Sequence, residues 1–182
     1  MIEEIVFAGF GGQGILLGGG LIAQSAMKDG LWATWFPSYG PEMRGGTCNC
    51  LVACSDDEIG SPIFNVYDSA LIMNLPSLEK FGPMVRPGGL LMVNSSLIQV
   101  EKPRSDVKLV KVPVNDLARE AGSDRAANVV MVGAYCAVRS IIRPETVADV
   151  LRETFAAKGS KIIDLNLRAL DFGRRAIEGV TV

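Results

Sequence analysis

The chain has 182 residues, of which 48% are hydrophobic and 21% charged, with a formal net charge of −2 and no histidine. That length suits one domain able to bury roughly 70% of the surface its unfolded form exposes. The mixed, nearly balanced charge leaves no electrostatic footprint for nucleic acid, and the lack of histidine removes the commonest metal ligand and general base. No apolar run approaches the ~18 residues that cross a bilayer. The N-terminus opens with Glu3 and Glu4, the wrong charge for a secretory signal. The expectation is a cytoplasmic protein with no membrane partner.

The first element reads as a buried strand, Ile5 to Ala8, running into the glycine cluster Gly9-Phe10-Gly11-Gly12-Gln13-Gly14. Gly9, Gly11 and Gly14 fit the G-x-G-x-x-G spacing. In that pattern the first glycine allows a tight turn, the second lets a ligand approach, and the third lets helix and strand pack closely. Backbone N–H groups at such a helix start favour an anion, usually a phosphate. A helix is predicted from Ile15 to about Asp29, stopped by Gly30. Gly18, Gly19 and Gly20 inside it cost roughly 1 kcal/mol each relative to alanine, which points to close packing against a strand or another chain.

Leu31 to Phe36 reads as a second strand. An NAD-binding unit would place an Asp or Glu at its end to hold the ribose hydroxyls; here the residues are Phe36-Pro37-Ser38. The next stretch, Ser38-Tyr39-Gly40-Pro41-Glu42-Met43-Arg44-Gly45-Gly46, is a loop of turn formers that also carries a tyrosine, a carboxylate, a methionine and an arginine. Loops of that kind between core strands often carry function; the lesser alternative is that Glu42 and Arg44 are simply solvated charges.

Thr47 to Ser55 reads as a strand with Cys48, Cys50 and Cys54 on one face, three reduced thiols packed in a core. A metal or iron–sulfur site would instead want spacings such as C-x-x-C-x-x-C from a loop. Ala70 to Asn74 is a short strand, a helix opens at Pro76 and runs to about Val85, Arg86 to Gly89 turns the chain, and Leu90 to Asn94 is another strand. Strand, helix and strand in so few residues make a parallel crossover. Asn74 and Asn94 then sit at strand carboxyl ends, where ligands of open α/β sheets gather.

Val107 to Val112 is a further strand and Asn115 to Ala121 a short helix. From Asn128 the run through Val138 is apolar almost all round, a helix buried on most sides, with Gly133 a close crossing point. Pro144 starts an amphipathic helix that ends near Gly159, and Asp164 to about Ile177 is the last. The pattern is α/β, a single domain over 1–182 without internal repeat or linker.

Three features together resemble the gamma subunit, or gamma domain, of 2-oxoacid:ferredoxin oxidoreductases. They are Gly9 to Gly14, the loop Ser38 to Gly46, and Arg125-Ala126-Ala127-Asn128 leading into the helix with Gly133. The resemblance implies a Rossmann-like three-layer sandwich with a mainly parallel sheet that does not use NAD. It implies a part in converting a 2-oxoacid, coenzyme A and oxidised ferredoxin into acyl-CoA, carbon dioxide and reduced ferredoxin. Thiamine diphosphate, Mg2+ and iron–sulfur clusters would belong to partner subunits (alpha, beta and a ferredoxin-like delta), external ferredoxin would accept the electrons, and no cofactor would be held tightly here.

On that reading Gly9, Gly11, Gly12, Gln13, Gly14 and Arg44 would receive a coenzyme A phosphate. Ser38, Tyr39, Glu42, Met43, Asn74, Asn94 and Asn128 would face the substrate side or a neighbouring subunit. No catalytic acid, base or nucleophile is assigned, and the isolated chain is expected to be inactive, with a homodimer left open. Two other readings compete: a stand-alone nucleotide-binding reductase, and a purely structural subunit.

Overall fold

A computed structural model describes residues 1–39, 46–100 and 104–177. Six strands form one sheet: β1 (Ile2–Phe10), β2 (Trp32–Tyr39), β3 (Thr47–Ser55), β4 (Tyr67–Ile72), β5 (Val85–Asn94) and β6 (Lys108–Val112). Six α-helices accompany them: α1 (Ile15–Lys28), α2 (Leu75–Phe81), α3 (Val114–Ala121), α4 (Ala127–Val138), α5 (Pro144–Thr154) and α6 (Ser160–Arg175).

The strand order is β2-β3-β1-β4-β5-β6. β1, β4, β5 and β6 run parallel, as crossovers require. β2 and β3 form an antiparallel hairpin laid beside β1, with Phe10 opposite Thr47 and Ile5 opposite Val52. The carboxyl end of β2 and the start of β3, with Tyr39 opposite Cys48, therefore lie at the same end of the sheet as the carboxyl end of β1.

Alternation along the strands sends one set of side chains, among them Phe7, Cys50, Val52, Met73 and Met92, into a core shared with α1, α3, α4, α5 and α6. The other set, including Val6, Leu51, Ile72 and Val93, packs with Phe81 of α2 and with Ile98. Helices thus lie on both faces, which gives the three layers. Cys48, Cys50 and Cys54 share the first core as their even spacing requires. Burial pushes the Cys50, Cys54 and Cys136 thiols up to about 12, so they stay protonated and behave as small apolar groups.

The glycines of the helices are explained by what a methyl group would meet. A Cβ on Gly18 would lie 2.2 Å from Phe7 Cε1, and one on Gly19 2.3 Å from Cys50 Sγ, so α1 lies directly on the sheet. On α4 and α6, Cβ atoms at Gly133 and Gly173 would lie 2.1 Å from the Leu170 carbonyl oxygen and 1.9 Å from that of Val130. The two helices cross backbone to backbone, each supplying the glycine the other needs. Gly20 has no such neighbour, its nearest being Gln24 Nε2 at 3.9 Å.

Several boundaries differ from the sequence reading. Ser38 belongs to β2 rather than to a loop. The helix opened by Pro76 stops at Phe81, a 3-10 turn (Gly82–Met84) follows, and α6 begins at Ser160. Arg86 to Gly89, expected to form a turn before a strand, lies inside β5. The pairing jumps from Tyr67 opposite Val85 to Ser69 opposite Leu90, and Gly88 takes a positive φ of 78°. The turn residues are absorbed as a bulge, because Arg86 reaches Glu4 Oε2 at 2.6 Å and Asp68 Oδ1 at 2.8 Å across the amino end of the sheet.

Candidate functional site

The candidate site lies where the carboxyl ends of β1, β4 and β5 meet the start of α1. β1 leads through α1 to β2 on one side of the sheet, and the neighbouring β4 leads through α2 to β5 on the other, with the two helices on opposite faces. Ligands of open α/β sheets gather at such a switch point.

The glycine turn is built differently from the pattern that located it. Gly9 is still in β1; a Cβ there would fall 2.5 Å from Gln13 Oε1 and 2.7 Å from Ile15 Cδ1, so its role is to make room rather than to turn. The turn itself is made by Gly12 (φ 99°) and Gly14 (φ 72°), both in the left-handed region that favours glycine. Gly14 packs against a helix, not a strand, since a Cβ would meet Asn128 Nδ2 at 2.6 Å.

Gln13 folds back over the strand ends. Its Oε1 accepts the Phe10 N–H at 2.7 Å, and its Nε2 donates to the Met73 carbonyl at 3.4 Å, fastening the end of β1 to the residue after β4. Asn128, 1% exposed in the first turn of α4, donates from Nδ2 to the Gly14 carbonyl at 3.0 Å. Its Oδ1 is buried without a partner among the described residues.

Asn74 and Asn94 stand at the predicted strand ends but are buried and engaged locally. Asn74 Oδ1 accepts the Ser77 N–H at 2.9 Å and caps α2. Asn94 donates to Asn115 Oδ1 at 2.7 Å, while its own Oδ1 accepts the Ser96 N–H at 3.2 Å. Asn115 was not anticipated; only its place one residue into α3, beside the end of β5, could have suggested it.

The N-terminus of α1 has no side-chain cap and no acidic residue in its first turn, and Gly12 beside it is exposed. The helix dipole there, worth about half a positive charge, is uncompensated from within the turn. None of Gly9 to Gly14, Asn74, Asn94, Asn115 or Asn128 is ionisable, so these residues bind and orient rather than exchange protons.

The Ser38 to Gly46 stretch is attached to this turn: Gly11 N–H donates to the Gly46 carbonyl at 2.9 Å. Ser38 is exposed at the end of β2, and the Tyr39 backbone pairs with Cys48. Glu42, Met43 and Arg44 lie outside the described residues.

The geometry also removes the basis for a dinucleotide reading. The strand after the glycine helix is not parallel beside β1 but lies at the sheet edge, with β3 between, so its end is not where a ribose would be held.

The profile of the pyruvate ferredoxin/flavodoxin oxidoreductase family matches residues 4–176. The chain belongs to this family. It is 38% identical over 181 residues to ketoisovalerate oxidoreductase subunit VorA of Methanothermobacter marburgensis, covering 97% of this chain and 37% of that relative's length. A solved keto/oxoacid ferredoxin oxidoreductase gamma subunit from Geobacter sulfurreducens PCA superposes with a TM-score of 0.84 at 27% identity, covering 98% of both chains. A 2-oxoglutarate:ferredoxin oxidoreductase from Magnetococcus marinus, solved with 2-oxoglutarate, coenzyme A and succinyl-CoA bound, matches with a TM-score of 0.87 at 27% identity. That match covers 99% of this chain and 32% of the other. Within the family, then, this unit occurs both as a chain of its own length and as part of a longer one.

Proposed function

We propose that this chain is the gamma component of a multi-subunit 2-oxoacid:ferredoxin oxidoreductase, where it positions coenzyme A and helps hold the complex together. The observation that carries the reading is the Gly11 to Gly46 hydrogen bond. It ties the two most specific motifs of the sequence into one feature at the ligand end of the sheet. Backbone N–H groups at the α1 start suit phosphate oxygens, and Arg44, two residues before Gly46 in the sequence, would supply a forked cationic donor for the same group.

The chemical contribution is proximity: a thiol acceptor held in place needs no acid or base from this chain. No group of three or more His, Cys, Asp or Glu among the described residues could hold a metal ion, and the cysteine thiols are buried and protonated. The described residues therefore do not fit an iron–sulfur cluster. Thiamine diphosphate, Mg2+ and the clusters are assigned to alpha, beta and delta partners, with ferredoxin as electron acceptor.

The deciding experiment is Arg44→Ala in the reconstituted complex, read as apparent affinity for coenzyme A. Losing a charge-assisted phosphate contact should weaken it roughly 10- to 100-fold; unchanged affinity and turnover would remove the phosphate role. A purely structural subunit is the second reading, and one observation favours it: the Gln13, Asn74 and Asn94 amides all make bonds within the chain. It predicts that Arg44→Ala changes assembly while leaving coenzyme A affinity alone.

A further inference from the structure

Beyond the coenzyme A reading, and independent of it, the structure bears on how two copies of the chain meet. β2 is an edge strand whose outer side has no neighbour among the described residues. From Trp32 to Ser38 it carries no charge, although charged side chains are a common means of keeping an edge from pairing with another chain. Pro37 removes one donor and leaves the others. Trp32, Trp35 and Phe36 are exposed by 56%, 44% and 40%.

Beside this edge runs the outer stripe of α1: Leu17, Gly20, Gln24 and Met27, spaced by three and four residues so that they share one helix face. It too is uncharged, with Leu17 exposed by 36% and Met27 by 63%. Two open hollows lie between helix and strand. One of about 270 Å³ is lined by Leu16, Leu17, Gly20, Gln24 and Trp35. The other, of about 410 Å³, is lined by Met27, Gly30, Leu31, Trp32 and Ala33. Gly18 and Gly19 are demanded by the sheet beneath them, but nothing among the described residues demands Gly20. A glycine in mid-helix facing open space makes sense where another backbone comes close.

We infer that this face pairs with the same face of a second copy, β2 against β2 antiparallel and α1 against α1, about a two-fold axis near Trp35 and Gly20. A two-fold contact must be self-complementary and centred on one point. Here Trp35 lies in the middle of β2, Gly20 near the middle of α1, and both border the same hollow. Strand alternation puts Trp35 on the α1 side of the edge and Trp32 and Phe36 on the other, so edge-to-edge pairing draws on both faces. The exposed parts of Leu17, Met27, Trp32, Trp35 and Phe36 offer at most roughly 500 Å² per copy, at 150–250 Å² for a large side chain, and the paired strand backbone adds to the part that is covered, against the roughly 1,000 Å² that a specific interface must clear. Aromatic enrichment and absence of charge are the composition of an interface centre.

The test uses the purified full chain. The only two tryptophans are Trp32 and Trp35, so intrinsic fluorescence reports on this edge alone. Sedimentation should show a dimer at high micromolar concentration, and dilution should dissociate it with a red shift of the emission. Gly20→Ala, which the lone chain accommodates, should weaken the dimer about tenfold or more. Leu17→Lys with Met27→Lys should give a folded monomer by circular dichroism. A monomeric wild-type chain, or a dimer that neither variant nor dilution affects while emission stays constant, would overturn the proposal. So would tryptophan burial that occurs only on adding another subunit.

Discussion

At the scale of single residues, the glycines separate into three physical classes, and alanine substitution distinguishes them. Gly12 has only its positive φ to lose, so Gly12→Ala should cost about 1 kcal/mol. Gly14→Ala adds a collision with Asn128 and should cost about 2 kcal/mol. Gly133→Ala and Gly173→Ala drive a methyl into a carbonyl and should cost about 3 kcal/mol or more. Urea titration of the four variants checks this order, and equal losses at Gly12 and Gly173 would contradict it. The glycine spacing made this site visible in the sequence, but the purpose of each glycine was not legible there. What Gly9 accommodates is the Gln13 amide, and what Gly14 accommodates is Asn128, more than a hundred residues away. Gln13 stands within the motif itself, but no local pattern encodes Asn128.

At the scale of elements, α4 is fastened at both ends. Its first turn holds Gly14 through Asn128, and at its other end Tyr135 and the following Arg139 reach Glu3 of β1, with Arg139 Nε 3.2 Å from Glu3 Oε1. Burial outweighs Ser69, Arg139 and Tyr135 and holds the Glu3 carboxyl above its usual range. A raised carboxyl means that folding favours the protonated form. Its contribution is thus full below the unfolded pKa and is lost as pH rises through the folded one. Glu3→Gln should therefore match the wild type near pH 4 and gain on it steadily towards neutrality, as followed by denaturant midpoints across pH; a variant that loses ground on that path would reverse the sign. Element identities followed from periodicity and from Pro and Gly punctuation, which are local. Strand direction is not local, and the hairpin of β2 and β3 could not be told from two parallel strands by alternation alone. The bulge at Arg86 to Gly89 was hidden for a similar reason, since turn formers look the same whether they reverse a chain or kink a strand.

At the scale of the whole molecule, a single α/β unit offers an anion-friendly helix start at one end of its sheet and an ion-pair network of Glu3, Glu4, Asp68, Arg86 and Arg139 at the other. Since none of Gly9 to Gly14, Asn74, Asn94, Asn115 or Asn128 is ionisable, the chain alone should support no oxoacid-dependent dye reduction. An assembly recovered with it from its native host should do so, and in a coenzyme A-dependent way. Recovery of the chain without partners would count against the subunit reading.

The glycine crossing of α4 and α6 bears on how the molecule is made. α4 is almost wholly buried and apolar, yet α6, which covers its glycine face, is the last helix described in chain order. At translation speeds of roughly 5–20 residues per second, the nascent chain exposes α4 for a time on the order of seconds. During that interval it is a target for chaperones and for aggregation. The glycine turn is thus locked by Asn128 only after the 114 residues that separate it from Gly14 have been made.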